Sequence, residues 1–119
     1  GPGVRRTLKR KGADPRDVRM TEAQLLDTIR HAARQAGFLF YHVTLSMYGS
    51  RGLPDVIMVK DGKMAAWELK TDKGKVTPEQ QVWLDALAQV PGVDVRVVRP
   101  ANLEAAYLFL STGIWEEKP

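Results

Sequence analysis

Pro54-Asp55 and Glu68-Leu69-Lys70 are the residues of this chain whose types and spacing could do chemistry. Two apolar runs lie between them, Val56-Ile57-Met58-Val59 and Met64-Ala65-Ala66-Trp67, parted around Asp61-Gly62. Asp-Gly between such runs predicts a β-hairpin, because a type I′ turn needs positive φ at both central residues. With those two residues as the loop, Lys60 faces Lys63, Val59 faces Met64, and Asp55 faces Glu68 at the far end. Directly opposed side chains have Cβ atoms roughly 4.5–5.5 Å apart. A three-residue turn would instead move Asp55 off Glu68. Lys70, two positions past Glu68, points to the same face. Two carboxylates face to face repel unless something positive sits between them, so this register predicts a cation site.

Both runs are apolar on both strand faces, which puts the ribbon at the centre of a sheet with its charges gathered at one end. Charges in such a place must be paired or bind metal. Oxygen ligands suit a hard cation, Mg²⁺ or Mn²⁺, rather than zinc, since the chain has no Cys and only two His. Glu22 can supply a third oxygen, because it shares a helical stripe with Leu26, Ile29 and Ala33. It reads equally as a first-turn acid complementing the helix dipole. Lys70 can position a water or stabilise charge on a scissile phosphate. Its plainer role is a salt bridge with Glu68 or Asp55.

The elements that must hold these residues are legible on either side. Thr21-Glu22-Ala23-Gln24 is a capping box, opening a helix through Leu25, Leu26, Ile29, Ala33 and Ala36 that stops near Gly37. Residues 38–44 read as a strand, apolar enough to expect cover on both faces. Residues 45–53 form a loop in which Ser50, Arg51 and Gly52 could cradle a phosphate; the plainer reading is an ordinary turn. Thr77-Pro78-Glu79-Gln80 starts a second helix through Trp83, Leu84 and Leu87. Gln80 completes that cap and also lies on the inward stripe. Val93 to Val98 form a strand, and a last helix opens near Asn102 with Leu103, Ala106, Tyr107 and Leu110. The order is α-β-β-β-α-β-α. Lys73 and Lys75 sit on the polar loop after Lys70, solvated or facing nucleic-acid backbone. His42 reads as a sheet residue and His31 as a helix-surface one.

At 119 residues the chain is one domain. No run is long enough to span a bilayer, and no secretory apolar region is present, so the expectation is a cytoplasmic protein without membrane contact. The absence of cysteine excludes disulfides, thiolate metal sites and a thiol nucleophile. The opening Gly1-Pro2-Gly3 reads as a tag scar. Residues 1–19 carry seven basic groups against two acidic ones, a net of +5, whereas the rest carries 11 against 12. Such an arm on a near-neutral body fits a polyanion-binding protein or a solvated tail.

Taken in order, Glu22, Gly37, Tyr41-His42, Ser50-Arg51-Gly52-Leu53-Pro54-Asp55, Glu68-Leu69-Lys70 and Thr77-Pro78-Glu79-Gln80 before Trp83-Leu84 resemble the virus-type replication-repair nuclease (VRR-NUC) domain of the PD-(D/E)xK superfamily. The resemblance runs from about Thr21 to about Leu110. It implies an α/β, restriction-endonuclease-like α-β-β-β-α-β core with a C-terminal helix, a central mixed sheet flanked by helices. The division expected is a basic arm at 1–19, a nuclease domain at 20–111 and a tail at 112–119. Glu22, Asp55, Glu68 and the carbonyl of Leu69 would bind Mg²⁺ or Mn²⁺, Lys70 would be the catalytic lysine, and Gln80 the motif glutamine beside Asp55 and Glu68. The activity implied is structure-selective hydrolysis of branched DNA, four-way junctions or flaps, by a homodimer in a bacterial or phage-infected cell. Ser50, Arg51, Gly52, Lys73 and Lys75 are the candidate DNA contacts. A nucleic-acid-binding module without catalysis is the competing reading.

Overall fold

The computed structural model describes residues 19–44 and 51–117. Helix α1 (Glu22–Gln35) is followed by strands β1 (Leu39–His42), β2 (Val56–Lys60) and β3 (Lys63–Leu69). Helix α2 (Pro78–Leu87) leads to β4 (Val93–Val98), and a 3₁₀ turn (Pro100–Asn102) enters α3 (Leu103–Thr112). Both expected capping boxes form: Thr21 and Thr77 each accept from the main chain three residues on, and Gln24 and Gln80 each accept from the cap nitrogen.

The four strands lie in the order β1-β2-β3-β4, the first two pairings antiparallel and the last parallel. This is the mixed sheet flanked by helices that the sequence predicts. The parallel step needs a crossover, and α2 supplies it. The hairpin closes on two residues, with Asp61 at φ 51° and Gly62 at φ 77°. Pairing runs from Lys60 opposite Lys63 to Val56 opposite Trp67, so the next facing positions are Asp55 and Glu68.

One face of the sheet carries the core. Leu25, Ile29 and Ala33 of α1 and Ala106, Phe109 and Leu110 of α3 close over Val56, Met58, Ala65, Trp67, Leu69 and Val98. Each large apolar side chain buried there contributes roughly 1.5–3 kcal/mol. Beyond the left-handed cap at Gly113, Trp115 folds back on this layer, its ring 5.7 Å from Trp67 and 6.3 Å from Phe109. Arg96 lies over it at 4.1 Å.

Two expectations change. The first strand is not covered on both faces: Leu39 is 75% and Tyr41 65% exposed. It is the outer strand: α1 packs against it on the side of Phe40, and α2 packs against β4 at the opposite edge, so among the described residues the face carrying Leu39 and Tyr41 stays open. The strand is also shorter than residues 38–44, because pairing with β2 ends at His42 opposite Val56.

Candidate metal centre

The acids meet because two strands end together and α1 begins beside them. Asp55 enters β2, where its carbonyl accepts from Val43 N at 2.7 Å, and its Oδ2 accepts from Leu69 N at 2.8 Å. Glu68 is the penultimate residue of β3, flanked by β2 and β4. Glu22 is the first residue of α1. Glu22, Asp55 and Glu68 each bring a carboxylate oxygen to a point where all lie within 4.8 Å of one another. Their exposure falls in the order Glu22, Asp55, Glu68, from solvent to interior.

Glu68 decides the electrostatics. It is 1% exposed, and its Oε1 is buried with no hydrogen-bond partner among the described residues. Burial, the Asp55 charge and a hydrogen bond with Asp55 push its carboxyl from 4.5 up to about 8, while Lys70 pulls it back. The Lys70 ammonium stands 3.6 Å from Glu68 Oε2. A buried acceptor without a donor is expensive, and two acids so close cannot both ionise cheaply. A cation among the three oxygens removes both difficulties. The all-oxygen donor set fits a hard divalent ion such as Mg²⁺ or Mn²⁺.

A cleft of about 290 Å³ opens onto these acids, lined by Glu22, Ala23, Leu26, His42, Asp55 and Leu69. His42, assigned only a place in the sheet from sequence, faces this cleft because β1 lies beside β2 in register with Val56. Larger grooves, lined by α1 with α3 or by α1 alone, lie away from the acids.

The remaining candidates are distributed around this centre. Ser50 lies outside the described residues. Arg51 is exposed, and Gly52 is pressed against the start of α2. With φ at +97°, a Cβ on Gly52 would stand 2.5 Å from the Glu79 carbonyl and 2.9 Å from Gln80 N. The glycine is thus required by conformation and by close approach, which the reading of residues 45–53 as an ordinary loop did not anticipate. Gln80 commits its Oε1 to the Thr77 cap and is not among the cleft residues. Lys73 and Lys75 are exposed on the loop after Lys70. Sequence reasoning missed Arg99, whose guanidinium holds that loop; nothing in the local pattern around Val98-Arg99-Pro100 marks it.

Comparison with known proteins agrees with this architecture. The family profile for the VRR-NUC domain matches residues 17–102. A solved structure described as a VRR_NUC domain protein superposes with a TM-score of 0.58 at 18% identity, covering 78% of this chain and 92% of that one. A search of curated proteins finds no match. No helix among the described residues is long and apolar enough to cross a membrane. The order of strands, the opposed Asp55 and Glu68 with Lys70 beyond them, and a match over most of the chain lead to one conclusion: this chain belongs to the VRR-NUC domain family, nuclease domains of the PD-(D/E)xK type.

Proposed function

We propose that the protein is a Mg²⁺- or Mn²⁺-dependent DNA endonuclease that cuts branched DNA, four-way junctions or flaps, as a homodimer in a bacterial or phage-infected cell. The observation that carries the metal-dependent reading is the convergence of Glu22, Asp55 and Glu68 oxygens within 4.8 Å, with a buried, unpartnered Glu68 oxygen beside Lys70. The choice of branched DNA and the cellular setting rest on the family resemblance.

Glu22, Asp55, Glu68 and the Leu69 carbonyl would hold the cation. When bound, it supplies charge that keeps the carboxylates ionised and polarises the scissile phosphate. The Lys70 ammonium then orients the attacking water and balances charge gathering on the phosphate oxygens. A bond forms from the water oxygen to phosphorus, the bond from phosphorus to O3′ breaks, and the products carry a 5′-phosphate and a 3′-hydroxyl. Arg51, Lys73 and Lys75, with Ser50 and Gly52, meet the sugar-phosphate backbone, so duplex shape rather than base sequence selects the substrate. Gln80, the motif glutamine of the catalytic set with Asp55, Glu68 and Lys70, would act from the start of α2 through its amide nitrogen, since its Oε1 accepts from Thr77 N. Two symmetric cuts need two centres, and the exposed Leu39 and Tyr41 of the outer strand offer apolar surface for a second copy.

The test is cleavage of single-stranded, duplex, flap and four-way-junction DNA with Mn²⁺ and with EDTA. Metal-dependent cutting that favours the branched substrates is expected. Cutting that survives EDTA sinks the proposal, and binding without cutting in Mn²⁺ favours a non-catalytic module. Solution mass settles the dimer.

A further inference from the structure

Arg99 follows the last residue of β4, and its main-chain nitrogen donates to Asn102 Oδ1 at 2.7 Å, fixing the backbone as the strand enters the 3₁₀ turn. Its Nη1 donates to Thr71 O at 2.6 Å and Gly74 O at 2.8 Å, with a longer contact of 3.4 Å to Asp72 O. One nitrogen therefore gathers three carbonyls of the turn that follows Lys70. Gly74 N closes the same turn on Thr71, at 3.1 Å to Oγ1 and 3.2 Å to the carbonyl.

The turn in turn backs onto Lys70. A Cβ at Gly74 would stand 3.4 Å from Lys70 Cδ, so the Gly74 backbone lies against the lysine stem. Lys70 is held at its root by its own N–H, which donates to Val98 O at 3.1 Å, one residue before Arg99. A lysine stem has four carbons and many rotamers, and a single ion pair at 3.6 Å does little to choose among them. Packing along the stem does.

We propose that Arg99 is a positioning residue: through the Thr71–Gly74 turn it seats the Lys70 stem and keeps the ammonium beside Glu68. This rests on the nuclease reading of Lys70. A guanidinium is suited to the task, since it is always charged and presents its donors in a fixed plane.

The full-length protein is tested as Arg99→Gln and Arg99→Lys, with cleavage rates in Mn²⁺ measured over a range of DNA concentrations. Arg99→Gln is expected to lower kcat by about tenfold or more, since small misplacements at a reacting centre are amplified in rate. KM should rise by less than kcat falls, because the turn carries Lys73 and adjoins Lys75, which are only part of the backbone contacts. Arg99→Lys should recover most of kcat, as an ammonium can donate to the same carbonyls. Wild-type kcat in Arg99→Gln, or a loss confined to KM, overturns the inference. If Arg99→Gln does not fold, Gly74→Val decides: it leaves Arg99 in place, its Cβ would stand 3.2 Å from Thr71 Oγ1 and 3.4 Å from Lys70 Cδ, and its two methyls add bulk against the turn and the stem, so an unchanged kcat overturns the inference. Wild-type protein that fails to cut defeats the nuclease reading itself, whereas equal cutting by wild type and Arg99→Gln defeats only the role of Arg99.

Discussion

The main-chain nitrogen of Leu69 donates to Asp55 Oδ2 at 2.8 Å, so one strand of the hairpin aims the carboxylate of the other. The bond leaves Oδ1 for a further partner and sets Asp55 against Glu68, whose carboxyl it raises. The pair therefore weighs against the metal-free fold, a cost that a bound cation would relieve. Asp55→Asn keeps an acceptor for Leu69 while removing the repulsion. Its melting temperature in EDTA should match or exceed that of the wild type, and its gain on adding Mn²⁺ should largely vanish. For the wild type, a ligand at a hundred times its Kd stabilises by about 2.7 kcal/mol, readily seen in a melt. An Asp55→Asn protein stabilised by Mn²⁺ as much as the wild type removes Asp55 from the ligand set.

Glu68 sets the pH dependence. Its carboxyl is raised from 4.5 to about 8 in the folded protein without metal, so the folded state holds this proton more tightly than the unfolded chain. The resulting stability is fully present below about pH 4.5, declines as pH rises, and is lost once pH passes about 8. At 1.36 kcal/mol per pKa unit the whole effect is on the order of a few kcal/mol. Melting in EDTA from pH 5 to pH 9 should show a falling midpoint in the wild type and a nearly level one in Glu68→Gln. Stabilisation by Mn²⁺ should run the other way and grow with pH, since the cation takes the ionised carboxylate. A wild-type midpoint that rises with pH in EDTA contradicts the burial argument.

Much of this site was readable because period and turn chemistry are local. Asp61-Gly62 fixed the hairpin, two apolar strands fixed the facing pairs, and Asp55 opposite Glu68 followed. Thr21 and Thr77 announced their helices through side-chain bonds spanning three residues. What escaped reading is tertiary. Leu39 and Tyr41 lie on an outer strand, and composition alone does not say which strand is outermost. Gly52 looked like any loop glycine until α2 was seen against it. His42 and Arg99 act across strands and turns, with nothing in neighbouring residues to mark them. Trp115 docks on Trp67 from a segment that reads as a tail, because a single aromatic carries no period.

Gly52 should be among the least replaceable residues outside the acids. At φ +97° a side chain is strained whatever the space, and a Cβ there would overlap the Glu79 carbonyl at 2.5 Å. Backbone cannot step aside as a flexible side chain can. Gly52→Ala is expected to destabilise by roughly 1–3 kcal/mol or more, the range for strained backbone. In a domain of this size each kcal/mol is about 4–8 °C in Tm. Cleavage should fall further than stability accounts for, because the displaced loop carries Arg51 beside the start of α2. A Gly52→Ala protein with wild-type melting and cutting rules out the close approach.

Lys70 separates chemistry from binding. Among the described residues its ammonium is the only group that lowers the Glu68 carboxyl, and it stands 3.6 Å from Oε2. Lys70→Ala should leave the three acids in place, so Mn²⁺ still raises the melting temperature. Removing the positive neighbour raises the Glu68 carboxyl further, and that metal-induced gain should therefore need a higher pH than in the wild type. Cleavage should drop by about 10²–10³-fold, the loss seen when one preorganised charge-stabilising donor is removed. DNA affinity at fixed salt should change little, because one phosphate contact among several is lost. Titrating Mn²⁺ into both proteins at several pH values, beside cleavage and binding assays, reads all three effects. Equal cutting by the two proteins assigns Lys70 to an ion pair and removes it from the reaction.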